Sequence, residues 1–246
     1  MKKRILLTAV ALILVCALSI MGTVAYLKDQ TTTVTNTFVA AGGDGPFVDE
    51  KGGVKQFYLK EYEVTQASSG KYTLNDQKEV AANKYKVLPN TTIPKQAFVK
   101  LSRTGKTETV DGKTTVYTPA PAYLFLEVVD GLDEEYYTWS VNSDWDKLGT
   151  TTADGVTSDI YLYVGSLADA AHVLTTVAET KIDIITNNAV TAENVTLPEG
   201  EFTITFNAYL AQATTGTSDA PADVFNACFG KTITPVATPN PEGGEG

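Results

Sequence analysis

Phe202 to Leu210 reads FTITFNAYL, and its period is two. Phe202, Ile204, Phe206, Ala208 and Leu210 share one parity, while Thr203, Thr205, Asn207 and Tyr209 share the other. A helix would space its apolar residues three and four apart, so strict alternation marks a β-strand with one face turned to a core.

The same period recurs along the chain. Ala97, Val99 and Leu101 alternate with Phe98, Lys100 and Ser102; Ile160, Leu162 and Val164 alternate with Tyr161 and Tyr163. Tyr123 to Val129 (YLFLEVV) is apolar almost throughout, the pattern of a central strand covered on both faces. Between the runs lie turn signals such as Pro89-Asn90, Asp111-Gly112, Asp130-Gly131, Asp154-Gly155 and Glu199-Gly200. Two hairpins follow from these: Phe57–Gln66 with Lys71–Leu74 across Ser68-Ser69-Gly70, and Lys106–Val110 with Lys113–Tyr117 across Asp111-Gly112. The second carries few apolar residues and should project into solvent. Helix is confined to two short candidates, Ser166–Val177 and Ser218–Phe229, the latter with Pro221 in its first turn and Val224, Phe225 and Cys228 facing inward. The expected fold is all-β, a jelly-roll-like β-sandwich with one or two short helices.

The N-terminus indicates export. Lys2, Lys3 and Arg4 form a positive n-region, Ile5 to Met21 an apolar run, and Gly22 to Ala25 a stretch of small residues. The run sits at the lower limit for spanning a bilayer. Cleavage between Ala25 and Tyr26 is therefore expected to release a secreted protein without a stable membrane anchor. The expected organisation is a signal peptide (1–25), an extension with a glycine hinge at Gly42, Gly43 and Gly45 (26–45), the sandwich (46–235) and a Pro/Gly/Glu-rich tail (236–246) without fixed structure.

The formal net charge is −10, and loss of the three basic n-region residues makes the mature chain more acidic still. That balance argues against binding nucleic acid or an anionic lipid surface. Of the two cysteines only Cys228 follows the signal segment, so no intramolecular disulfide is expected and a packed core must supply stability.

Gly22 to Gly42 reads GTVAYLKDQTTTVTNTFVAAG. It resembles the start of proteins processed by the SipW type of signal peptidase: a Gly-Thr-x-Ala stretch, an aromatic, a polar run and an Asn36-Thr37-Phe38 element before glycine. Further matches follow in order: Tyr85–Asn90 with Ala97–Leu101 and Ala122–Val128, Trp139–Asp183, and Phe202–Gln212 with Ala222–Phe229. On these motifs the chain resembles the TasA/camelysin family of biofilm-matrix and cell-surface fibre proteins. It departs from the pattern at Asn90, at Cys228-Phe229, and in the Ser102–Thr118 hairpin, which looks like an insertion.

The resemblance implies a structural subunit that polymerises head to tail, its N-terminal extension filling a groove in the next copy's sheet, with other matrix proteins as possible companions in the fibre. Thr31 to Ala40 has suitable composition for a donated strand, being Thr- and Val-rich and free of proline, with Val34, Asn36, Phe38 and Ala40 on one parity. The same segment folded back onto its own body would give a monomer.

Camelysin-type relatives are described as metalloproteases, but this chain has a single histidine, His172, and no HExxH. It has no G-x-S-x-G elbow, and Ser68-Ser69-Gly70-Lys71 satisfies S-x-x-K only within a hairpin turn. Cys228 as a nucleophile would require His172 as its base. No enzyme activity and no cofactor are expected. Two acidic clusters, Asp130, Asp133, Glu134 and Glu135, and Asp144 with Asp146, leave structural calcium as an option. The alternative function is a monomeric surface adhesin or glycan-binding module, with Tyr136, Tyr137, Trp139 and Trp145 as an aromatic platform. Covalent wall attachment is not expected, because no LPxTG-like motif is present.

Overall fold

The structure is a computed structural model that describes residues 29–30, 53–67, 69–81, 83, 87–117, 119–193, 203–213 and 215–236. The signal segment, the cleavage position at Ala25 and Tyr26, the donor-strand residues Val34, Asn36, Phe38 and Ala40, and the hinge glycines Gly42, Gly43 and Gly45 all lie outside the described residues.

The chain is all-β, as its alternating runs require. Six strands, β1 (Asp29–Gln30), β8 (Ala122–Asp130), β10 (Trp145–Ala153), β11 (Val156–Tyr163), β14 (Ile204–Gln212) and β15 (Thr234–Pro235), form one antiparallel sheet in the order β1-β14-β8-β11-β10-β15. A second sheet orders β12 (Val177–Asp183), β5 (Ala97–Thr104), β2 (Gly53–Gln66) and β3 (Tyr72–Val80). Smaller sheets are β4 (Thr91–Pro94), β13 (Ala189–Ala192) and β9 (Tyr137–Thr138), and the hairpin β6 (Lys106–Val110) and β7 (Lys113–Tyr117).

The two larger sheets pack face to face. Leu59, Val99, Leu101 and Ile182 from the four-stranded sheet meet Leu124, Leu126, Phe206 and Leu210 from the six-stranded one. Each such side chain contributes about 1.5–3 kcal/mol by leaving water, and Cys228 forms no disulfide among the described residues. Among the described residues the interior therefore depends on packing rather than on a disulfide.

Strand β8 is covered on both faces, as its sequence predicts. Leu124, Leu126 and Val128 point between the sheets, whereas Tyr123 and Phe125 point to the far side. There α1 (Pro221–Phe229) lies across the sheet and buries Val224, Phe225 and Cys228 against it. Proline opens this helix, and Gly230 closes it at φ 67°, donating its N–H to Asn226 O at 3.0 Å. The helix also packs on the second face of β14 at Tyr209 and Ala211, and Thr205 and Asn207 on that face are buried along with the apolar parity.

Both expected hairpins form. Strands β2 and β3 pair from Gln66↔Tyr72, and β6 and β7 pair from Val110↔Lys113 across Asp111 (φ 53°) and Gly112 (φ 75°), the left-handed pair that a two-residue turn needs. The helix expected over Ser166–Val177 is absent. Asp169 Oδ1 accepts the backbone N–H groups of Ala171 (2.8 Å) and Val173 (3.0 Å), and His172 sits at φ 61°. This side chain captures the donors that a helix would have used, so the segment turns. Leu174 then exchanges two backbone hydrogen bonds with Ala122. The other helix begins at Pro221 rather than Ser218, because Ser218 is engaged with Thr215 and Asp223 ahead of the first turn.

Candidate functional site

The residues that converge lie at β14 and its neighbours. On one side of β14, β8 pairs along its whole length, with Asn207 opposite Glu127 and Tyr209 opposite Phe125. On the other side β1 adds to it antiparallel, with Asp29 opposite Leu210 and Gln30 opposite Tyr209. The N-terminal extension thus reaches the edge of the six-stranded sheet just before the Thr31–Ala40 stretch.

Beneath the same strand a polar centre is built around Glu127, whose side chain is 5% exposed. Strand pairing places three of its partners. Ser158 on β11 donates its hydroxyl to Oε1 at 2.7 Å, Asn207 on β14 donates Nδ2 to Oε2 at 2.9 Å, and Tyr209 donates its hydroxyl to Oε2 at 2.5 Å. The fourth arrives from the chain just beyond α1: Lys231 Nζ lies 2.7 Å from each carboxylate oxygen and 2.9 Å from the Tyr209 hydroxyl. Aromatic rings wall the centre, with Tyr209 4.7 Å from Phe229 and 5.4 Å from Phe225 between centroids.

Burial alone would raise the Glu127 carboxyl, but the hydrogen bonds from Lys231, Tyr209 and Ser158 outweigh it and hold the group below the ordinary carboxylate range. Burial, reinforced by the neighbouring Glu127, pushes the Tyr209 phenol upward, so Tyr209 stays a donor. The Oδ1 atom of Asn207 is buried and has no hydrogen-bond partner among the described residues.

A second buried ion pair lies at the end of the four-stranded sheet. Lys95 Nζ meets Glu61 Oε2 at 3.1 Å, and Asn83 donates its backbone N–H to Glu61 Oε1 at 2.6 Å. Near the opposite end of β5, buried Arg103 gives its guanidinium to the carbonyls of Leu174 and Ala120, and burial lowers it to about 10.

The other sequence candidates separate. Asp130 spends its carboxylate on the Leu132 N–H (2.9 Å) and Trp139 Nε1 (2.9 Å), while Asp133 caps the Glu135 N–H (2.9 Å). Among the described residues no group of three or more His, Cys, Asp or Glu side chains converges as metal ligands. The aromatic platform does not form. Tyr137 and Trp145 are buried, Trp145 donating Nε1 to Asp183 O at 3.0 Å, and Trp139 packs edge-on against Phe206 at 6.0 Å. Cys228 is buried on the inner face of α1, and His172 lies in the Asp169 turn.

Glu127, Ser158 and Lys231 were not singled out by sequence. Glu127 alone carried a signal, as the one charge inside YLFLEVV, because a carboxylate in a doubly covered strand requires partners. Comparison with known proteins finds no matching family model, no matching curated protein and no matching solved structure.

Proposed function

We propose that this chain is a secreted, non-enzymatic structural subunit of extracellular biofilm-matrix or cell-surface fibres, of jelly-roll type, that polymerises head to tail by donating its N-terminal strand. The observation that carries this reading is the pairing of Asp29 and Gln30 with Leu210 and Tyr209 at the edge of the six-stranded sheet. An edge that accepts the chain's own extension offers the same N–H and C=O groups to the extension of another copy. Exchange of an identical element between copies needs no new complementarity, and a head-to-tail exchange that does not close yields filaments. The likeness to the TasA/camelysin family supports the same reading through the order of its motifs, and a SipW-type peptidase would release the extension at Ala25-Tyr26.

The test is electron microscopy of protein beginning at Tyr26. Filaments are expected, and deletion of Tyr26–Ala41 should abolish them while leaving a folded body. A monomer at all concentrations, with and without the extension, would refute the proposal.

A further inference from the structure

We propose that Lys231 and Asn207 join through an intramolecular amide bond, formed with Glu127 as the proton-transfer group. Three observations carry this. The Lys231 amine and the Asn207 carboxamide both contact one atom, Glu127 Oε2, at 2.7 and 2.9 Å, so the two nitrogens are at most two hydrogen-bond lengths apart. Glu127 and Asn207 are buried, at 4% and 6% exposed, and the Lys231 side chain, 26% exposed, lies over the Tyr209 ring at 5.3 Å. The buried Oδ1 of Asn207 has no partner among the described residues. Rotating this amide would bring Oδ1 to Glu127, where a protonated carboxyl would donate to it.

The reaction balances without a co-reactant. The Lys231 ammonium passes a proton to the Glu127 carboxylate, leaving a neutral amine. Nζ attacks Cγ of Asn207, and the Glu127 carboxyl hydrogen-bonds the oxygen that gains charge. The Nζ–Cγ bond forms as the Cγ–Nδ2 bond breaks. Nδ2 takes up the protons released by Nζ and Glu127 and leaves as ammonium. The lysine ammonium and carboxamide have become a secondary amide and an ammonium ion, with Glu127 again a carboxylate. Proximity supplies much of the drive, because both reactants are held on one carboxylate by a folded sheet. Once formed, the bond closes the loop between β14 and the end of α1 and lowers the entropy of the unfolded chain, as other cross-links do.

Peptide mapping of the full-length protein tests this. After digestion, tandem mass spectrometry should find one branched peptide joining the fragments that hold Asn207 and Lys231, lighter than their sum by one ammonia. In Lys231→Arg, which keeps the cation but removes the amine nucleophile, and in Asn207→Ala, the branched peptide should be lost completely, with folding checked by circular dichroism. Asn207→Asp should give the same branched peptide from its parent fragments with loss of water instead. Glu127→Gln should greatly reduce its yield. Separate, unmodified Asn207 and Lys231 fragments from folded wild-type protein, after prolonged incubation at neutral pH, would overturn the proposal, as would a persistent branch in Lys231→Arg.

Discussion

Lys95 Nζ and Glu61 Oε2 lie 3.1 Å apart in the interior, with side chains 3% and 0% exposed. Burial pushes the Glu61 carboxyl up and the Lys95 ammonium down, each against the opposing pull of the other. Removing one partner strands a buried charge and costs roughly 3–5 kcal/mol, whereas replacing both with apolar residues is close to neutral. Glu61→Leu or Lys95→Met alone should therefore lower the denaturant midpoint sharply, and the double variant should recover most of the loss. A double variant as weak as the sum of the singles would show that the pair is worth more than its desolvation cost.

Helix α1 holds its place through aromatic contacts. Phe225 is fully buried and meets Phe125, Tyr209 and Phe229 at centroid separations of 5.2, 5.4 and 5.1 Å. Phe225→Ala should destabilise the fold by about 3–5 kcal/mol. It should also expose the Glu127 centre to water, read as faster hydrogen exchange at Tyr209 and Ser158. Unchanged exchange would mean that the sheet seals the centre without the helix.

How far the chain was legible depended on what alternation reports. The strands around Val99 and Ile160 declared themselves by a period of two, the one around Leu124 by its nearly unbroken apolar run, and the one around Leu59 by the turn that follows it. Alternation gave no warning that the second face of β14 is also covered, since Thr205, Asn207 and Tyr209 look like a solvated row until α1 is set on Tyr209 and Glu127 is set on Asn207. Asp169 misdirected the helix expected over Ser166–Val177, because one side chain capturing two backbone N–H groups leaves almost no trace in hydrophobic spacing. Trp145 and Tyr137 resembled a binding platform only because aromatic residues serve cores and surfaces alike. The Glu127 centre joins β8, β11, β14 and the segment after α1, so no local pattern could assemble it.

Among the described residues the β6–β7 hairpin pairs only with itself, and Thr109 and residues 111–114 are exposed. Its base is short, since the Arg103 side chain donates to the Ala120 carbonyl across it. Replacing residues 106–117 with a short Gly-containing link should leave the circular dichroism spectrum strand-rich and shift Tm by only a few degrees, because loop-closure cost changes slowly with length. Loss of cooperative melting would place the hairpin within the folding unit.

Asn207→Ala cannot close the amide to Lys231, so Glu127 remains an ion-paired carboxylate in that variant. Its folded carboxyl lies below the unfolded value: burial opposes this, but the bonds from Lys231, Tyr209 and Ser158 prevail. A depressed carboxyl stabilises fully above its unfolded range, and that contribution is lost as pH falls through the folded value. Asn207→Ala should thus be more stable than Asn207→Ala/Lys231→Met at neutral pH. The gap should narrow progressively below the ordinary carboxylate range, where Glu127 is protonated in both. Denaturant midpoints measured from neutral to strongly acidic pH read this directly, and a gap that does not change with pH would show that Lys231 stabilises through its packing on Tyr209 rather than through its charge.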